Sequence, residues 1–271
     1  MHQHALLETH LKQLRLPTFL AHYQQIAQDA ARTELPYERF LLALCQAELA
    51  QREARRVERA IAAARFPVRK DLSSFDWSCV QGVSKLRVLE LAQGGYITNA
   101  EPILLVGNPG LGKTHVATGL ALAACRQGLR VRFYNVAGLV NDLLVAQKEL
   151  RLSRFLNQVG KLQLVVLDEL GFLPFTPTGA QLLFQFCSAL YERVSMLVTT
   201  NLRFADWTQV LGEERLTAAL LDRLTHKAHI LEFVGESFRF RQRLQQAEQH
   251  SISTTSPLPE REPAAPAPTT E

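Results

Sequence analysis

Residues 107–114 read Gly-Asn-Pro-Gly-Leu-Gly-Lys-Thr, which fits the spacing G-x-x-x-x-G-K-[ST]. No other stretch limits what this chain can fold into so tightly. The glycines let the backbone double back until its N–H groups converge on one anion. Lys113 then reaches the outer phosphates of a polyphosphate, and the Thr114 hydroxyl serves a magnesium ion. Such a loop works between a strand that delivers it and a helix whose positive N-terminus faces the same charge. Both neighbours are present: the apolar run Ile103–Val106 precedes the loop, and a helical pattern from about Thr114 to Cys125 follows it. The spacing therefore predicts a layered α/β core around a phosphate site.

The surrounding pattern agrees. Further strand-sized apolar runs occur at Val131–Tyr134, Leu164–Leu167, Met196–Val198 and His229–Phe233, separated by helical stretches. Strands spaced this way need crossover helices, which makes the sheet parallel. Upstream, residues 1–65 contain no Gly and only two Pro. Leu6, Leu7, Leu11 and Leu14 recur at helical spacing, a second helix follows Pro17, and a long one runs from Tyr37 to Ala64. The long helix is expected to bury Phe40, Leu41, Leu44, Ala47, Val57, Ala60, Ile61 and Ala64, and to end at Phe66-Pro67. The expected organisation is a helical N-terminal domain over 1–66, the α/β core over 67–245 and a disordered Pro-rich tail over 246–271. In 271 residues, 47% hydrophobic and 21% charged, no apolar run approaches the ~20 residues of a membrane span. No secretory signal is read at Met1-His2-Gln3-His4. Cys45, Cys79, Cys125 and Cys187 lack metal or disulfide spacing, so each is expected to be a buried or half-buried thiol in a reducing cytoplasm.

A phosphate site that does chemistry needs carboxylates on a second strand. Leu164-Val165-Val166-Leu167-Asp168-Glu169 supplies them on a continuously apolar run, as a strand covered on both faces requires. Asp168 is expected to hold magnesium with Thr114. Glu169 is expected to orient and deprotonate an attacking water. A third strand ends Val198-Thr199-Thr200-Asn201, where Asn201 could touch the terminal phosphate or the water; Thr200 is a weaker candidate.

These motifs, in this order, resemble an AAA+ ATPase core. The wider text narrows the resemblance: Phe66-Pro67-Val68-Arg69-Lys70, Phe75-Asp76-Trp77, Leu105 through His115, Leu167 through Gly171, Thr200-Asn201-Leu202, Asp206-Trp207, Leu221 through Leu224 and Gly235 through Arg239 are similar to the IstB family, which is related to the helicase loader DnaC. The resemblance spans about residues 5–245. It implies a P-loop NTPase of the ASCE type, a three-layer αβα core with a parallel five-stranded sheet in the order 5-1-4-3-2. It implies ATP held by Gly107, Asn108, Pro109, Gly110, Leu111, Gly112, Lys113, Thr114 and His115, with Mg²⁺ at Thr114 and Asp168. It also implies a homo-oligomer on duplex DNA with nucleotide at subunit interfaces, a transposase partner, and ATP hydrolysis that resets the assembly. A neighbour's arginine would complete each site; position in the motif indicates Arg223, with Arg215 as runner-up. Arg239 is a candidate second nucleotide-sensing arginine, although little chain follows Phe240 for a helical lid. No Asn-Lys-x-Asp guanine signature is present.

Relatives of the initiator type carry an extra helix after the second strand. Here Ala137–Gly160 can form a helical pair displaying Lys148, Arg151 and Arg154, with Lys161 just after. Their three-residue spacing places them near one helix face, suited to phosphates rather than bases; a solvated basic face is the alternative. Arg52, Arg55, Arg56 and Arg59, interleaved with Glu53 and Glu58, suit a solvated surface, self-assembly or DNA equally. The sequence thus points to an ATP-dependent, DNA-binding transposition helper in the bacterial cytoplasm. The alternatives are a DnaC-like loader preferring single strands, and a DNA-architectural module that binds ATP without hydrolysing it.

Overall fold

A computed structural model describes residues 2–235 and 237–238. Helices α1 (His2–Gln13), α2 (Pro17–Arg32) and α3 (Tyr37–Ala64) come first. Short 3-10 turns at Leu72–Ser74 and Trp77–Cys79 and helices α4 (Lys85–Leu91) and α5 (Gly95–Thr98) lead into the sheet. Then follow β1 (Ile103–Gly107), α6 (Lys113–Arg126), β2 (Val131–Asn135), α7 (Val136–Lys148), α8 (Leu152–Val159), β3 (Leu164–Leu170), α9 (Pro177–Leu190), β4 (Ser195–Thr200), α10 (Thr208–Leu211), α11 (Glu214–Thr225) and β5 (His229–Phe233). The sheet is parallel in the order β2-β3-β4-β1-β5. That is the αβα architecture and strand order the resemblance implies.

Side chains alternate across each strand, so every strand feeds two cores. Ile103, Leu105, Val131, Phe133, Leu164, Val166, Leu197 and Phe233 face one layer, packed by α6 and the C-terminal end of α3. Leu104, Val165, Leu167, Met196 and Val198 face the other, packed by α7, α9 and α11 around Phe186 and the fully buried Trp207. Double coverage explains why β3 and β4 read as unbroken apolar runs. Both β3 and β4 extend beyond the apolar runs seen in sequence, and their C-terminal extensions bring Glu169, Thr199 and Thr200 to the phosphate loop.

The helical N-terminal region has its own small core of Leu11, Tyr23 and Leu44. It is tied internally by a buried carboxylate: Glu48 accepts the Thr18 N–H at 2.9 Å and Arg52 Nε at 2.7 Å. Burial opposes the charge on Glu48, but these donors together hold its carboxyl below the usual range. The long helix α3 belongs to both cores, since Ile61 and Ala64 are buried against the sheet layer. Its stripe differs from expectation at Leu41, which is 54% exposed, while Glu48 takes the buried position on that side. The helix ends at Ala64 with Arg65 left-handed (φ 57°), two residues before Pro67. Cys45 is exposed, whereas Cys79, Cys125 and Cys187 are buried; burial pushes the Cys125 and Cys187 thiols up to about 11 and 12. No described helix is long and apolar enough to cross a membrane. Arg239 and the segment 246–271 lie outside the described residues.

Candidate nucleotide site

The phosphate loop leaves β1 at Gly107 and becomes helix at Lys113, capped by Gly112 in a left-handed conformation (φ 86°). Glycine is required at 112 twice over. The dihedral excludes most L residues, and a Cβ there would overlap the ring of Phe75. Phe75 in turn meets Trp77 and His115 edge-on, at centroid distances of 4.7 and 5.1 Å. His115 Nε2 lies 2.8 Å from the Asp71 carbonyl and 3.3 Å from Ser74 Oγ. This linker before the sheet therefore braces the loop. Lys113 is buried, and its ammonium donates to the carbonyls of Gly107 (2.5 Å) and Asn108 (2.8 Å). A cavity of about 620 Å³ opens against residues Pro109–His115, with Glu169, Thr199, Thr200 and Asn201 on its opposite wall. Leu111 also anchors the loop, being buried in the core.

The carboxylates occupy unlike environments. Asp168 is 5% exposed, and its Oδ1 accepts hydrogen bonds from Thr114 Oγ1 (2.9 Å) and Thr199 Oγ1 (2.6 Å). Burial pushes its carboxyl above the usual range; the two hydroxyls and Lys113 oppose the shift, and Glu169 adds to it. Glu169 is exposed and has φ 62°. The cause is a bulge: Leu167 pairs Val198 while Leu170 pairs Thr200, so β3 carries one extra residue. A bulge re-aims the side chain it carries. The Glu169 N–H donates to Thr199 Oγ1 at 2.9 Å, and Asn135 Nδ2 donates to Glu169 Oε2 at 2.9 Å.

Nothing in the sequence marks Thr199 or Asn135 as a site residue. Thr199 stands one position before the candidate Thr200 and carries more of the network. Asn135 ends β2 opposite Asp168. Its Oδ1 also accepts the N–H groups of Ala137 and Gly138, capping α7. An Asn closing a strand before a helix signals such a cap. Asn135→Ala is expected to cost about 1 kcal/mol through the lost cap, and Asn135→Ser less than about half of that, since serine caps equally well. Urea titration distinguishes the two; equal losses would remove capping as the cause.

Of the remaining predicted residues, one joins the site and the others do not. Asn201 follows β4 and lines the cavity. Arg223 lies half-buried on α11, its guanidinium 4.5 Å from the centre of the Phe184 ring and bonded to the Ala219 carbonyl at 3.3 Å. Arg215 is exposed at the start of α11. Neither lines the cavity of its own chain. The expectation of one basic helix face fails. Lys148 ends α7, Leu150 breaks the path with φ 56°, Arg151 precedes α8, and Arg154 sits within it. Arg151 is paired with Glu149. All four cations, Lys161 included, are exposed at the α7–α8 corner or just past α8.

Thr114 and Asp168 offer hydroxyl and carboxylate oxygens, the hard donors that suit magnesium. The loop, buried lysine and paired carboxylates together are equipped to bind a nucleoside polyphosphate. Comparison with known proteins agrees. A protein from Sinorhizobium fredii, named as an insertion-sequence ATP-binding protein, is 40% identical over 232 residues, covering 85% of this chain and 78% of its own length. A protein from Pseudomonas aeruginosa, named as an ATP-binding protein of insertion sequence IS21, is 36% identical over 237 residues, covering 88% and 89%. The crystal structure of the DnaC helicase loader superposes with a TM-score of 0.50 at 21% identity, over 60% of this chain and 96% of that one, a likeness of fold. The family described as IstB-like ATP binding protein matches residues 9–246, and the chain belongs to it.

Proposed function

We propose that this chain is an ATP-dependent, DNA-binding helper of transposition. It assembles on duplex target DNA with nucleotide at the interfaces between copies, presents the DNA to a transposase, and hydrolyses ATP to reset. The observation that carries the nucleotide-hydrolysing part of this reading is the split between the two carboxylates beside the phosphate loop. Asp168, buried and bonded to Thr114, is placed to hold Mg²⁺ with that hydroxyl. Glu169, exposed on its bulge, is placed to take a proton from water. Magnesium, when bound, neutralises charge developing on the phosphate oxygens.

The other roles follow from position. Residues Gly107–Thr114 and His115 form or brace the phosphate cradle. Lys113 serves the β and γ phosphates. Asn201, at the cavity wall, is placed to orient the water or the terminal phosphate. A neighbouring copy supplies the arginine this cavity lacks among its described lining residues, Arg223 first and Arg215 second. Lys148, Arg151, Arg154 and Lys161 contact DNA phosphates. Support for DNA and transposase comes from the chain's membership of a family whose relatives are insertion-sequence proteins.

The test is duplex and single-strand binding with ATP, ADP and a non-hydrolysable analogue across a salt series. ATP-dependent duplex binding that falls steeply with salt is expected. Equal binding in all nucleotide states would overturn the proposal, and a preference for single strands would favour a helicase-loader role.

A further inference from the structure

Leu150 is 95% exposed, further than any other large apolar residue described. Its conformation is unusual as well. Eight described non-glycine residues have positive φ, namely Arg15, Glu34, Arg65, Ala100, Leu150, Glu169, Glu192 and Lys227, and Leu150 is the one large aliphatic side chain among them. A left-handed residue after a helix is ordinarily glycine or asparagine. Folding stability thus disfavours leucine here on two counts, backbone conformation and apolar exposure. Strain held at one position in this way is a reason to look for function.

The tip is rigid. Leu150 N donates to the Gln147 carbonyl at 3.1 Å, Arg151 N to the Ala146 carbonyl at 2.8 Å, and Phe155 N to the Arg151 carbonyl at 3.0 Å. The backbone is therefore pinned on both sides, and the side chain stands out from the corner between α7 and α8. Around it the charge is one-sided. From 148 to 161 the chain carries Lys148, Arg151, Arg154 and Lys161 against the single acid Glu149. Asp142, across the α7–α8 cleft, is the other acid facing this corner. An apolar point within a cationic surround is the chemistry of a wedge that enters a polyanionic duplex, where cations take the phosphates and the side chain meets the bases.

We propose that Leu150 is a base-contacting wedge: it inserts between base pairs of duplex DNA while the flanking cations hold the backbone. The proposal rests on the reading that this chain binds duplex DNA. It assigns the α7–α8 corner a preference for easily unstacked steps, such as TA, without hydrogen-bonded readout.

The test uses the full chain with ATP analogue and duplexes carrying 2-aminopurine beside a TA step, comparing wild type, Leu150→Gly and Leu150→Met. Glycine suits φ 56°, so Leu150→Gly should melt no lower than wild type. It is expected to lose the 2-aminopurine signal and about tenfold in affinity, the scale of one buried leucine, with the slope of affinity against salt unchanged. Leu150→Met should retain both. Wild-type affinity and fluorescence in Leu150→Gly would overturn the wedge and leave duplex binding standing. A reduced salt slope would also overturn it, because the residue would then act by placing the cations. Absence of duplex binding by the wild type would overturn the underlying reading and the wedge with it.

Discussion

Glu169→Gln is expected to leave nucleotide binding intact and to slow hydrolysis by roughly 10²–10⁴-fold, the range a positioned general base supplies. The substitution is nearly isosteric. Glutamine keeps an oxygen to accept from Asn135 Nδ2, and the backbone donation from Glu169 to Thr199 Oγ1 is unaffected. Folding stability should therefore not change, and a thermal melt checks this. The neighbouring carboxylate is a poor substitute. Asp168 is buried and already accepts two hydroxyl protons on one oxygen, which leaves it poorly placed to take a proton from water. Only Glu169 combines exposure to the cavity with a position the bulge fixes. Phosphate release under saturating ATP gives the rate, and equilibrium titration with a fluorescent ATP analogue gives the affinity. Turnover at the wild-type rate would remove Glu169 from the base role. Lys113→Ala is the companion control, expected to fail at binding rather than at turnover.

The contrast between Lys113 and Asn135 shows what the sequence makes legible. The phosphate loop is a contiguous stretch whose function depends on its own backbone, so eight residues suffice to recognise it. The carboxylate pair is nearly as plain, because a doubly covered strand must be apolar until it reaches solvent. Asn135 and Thr199 act through register instead. Each becomes part of the site because β2 and β4 flank β3 in the sheet, and strand order is a property of the whole fold. The bulge that gives Glu169 its φ of 62° is likewise a one-residue mismatch between two strands, with no glycine to mark it. At Glu48 the helical period places an acid among apolar neighbours, and only tertiary packing supplies the Thr18 and Arg52 donors that make the position tolerable. On the α7–α8 corner, three-residue spacing suggested one helix face, but the turn at Leu150 interrupts it.

Removal of the arginine proposed to act in trans should have an effect of similar or greater size. Arg223→Ala is expected to lower turnover by about 10³–10⁵-fold, as arginine fingers do in other nucleotide hydrolases, with little change in ATP affinity. In the single chain the Arg223 guanidinium rests on Phe184. A half-exposed cation–π contact is worth about 0.5–1 kcal/mol. A tenfold change in rate corresponds to about 1.4 kcal/mol, so a fingertip contribution of several such factors easily outweighs that contact, and the side chain can leave it on assembly. Arg215 starts exposed on the same helix and gives up no described ring contact. Mixing decides between a role in trans and one within the chain. Arg223→Ala and Glu169→Gln are each expected to be nearly inactive alone, but a mixed assembly would contain interfaces that join an intact Glu169 to an intact Arg223. Turnover should therefore reappear on mixing, up to about a quarter of the wild-type rate if subunits combine at random and each interface acts independently. Recovery with Arg223→Ala, and none needed with Arg215→Ala because that variant stays active, assigns the finger to Arg223. The reverse pattern assigns it to Arg215. No recovery from either pairing would place the arginine's effect within its own chain, on the packing of α11 against α9, and would leave the interface without an assigned cation.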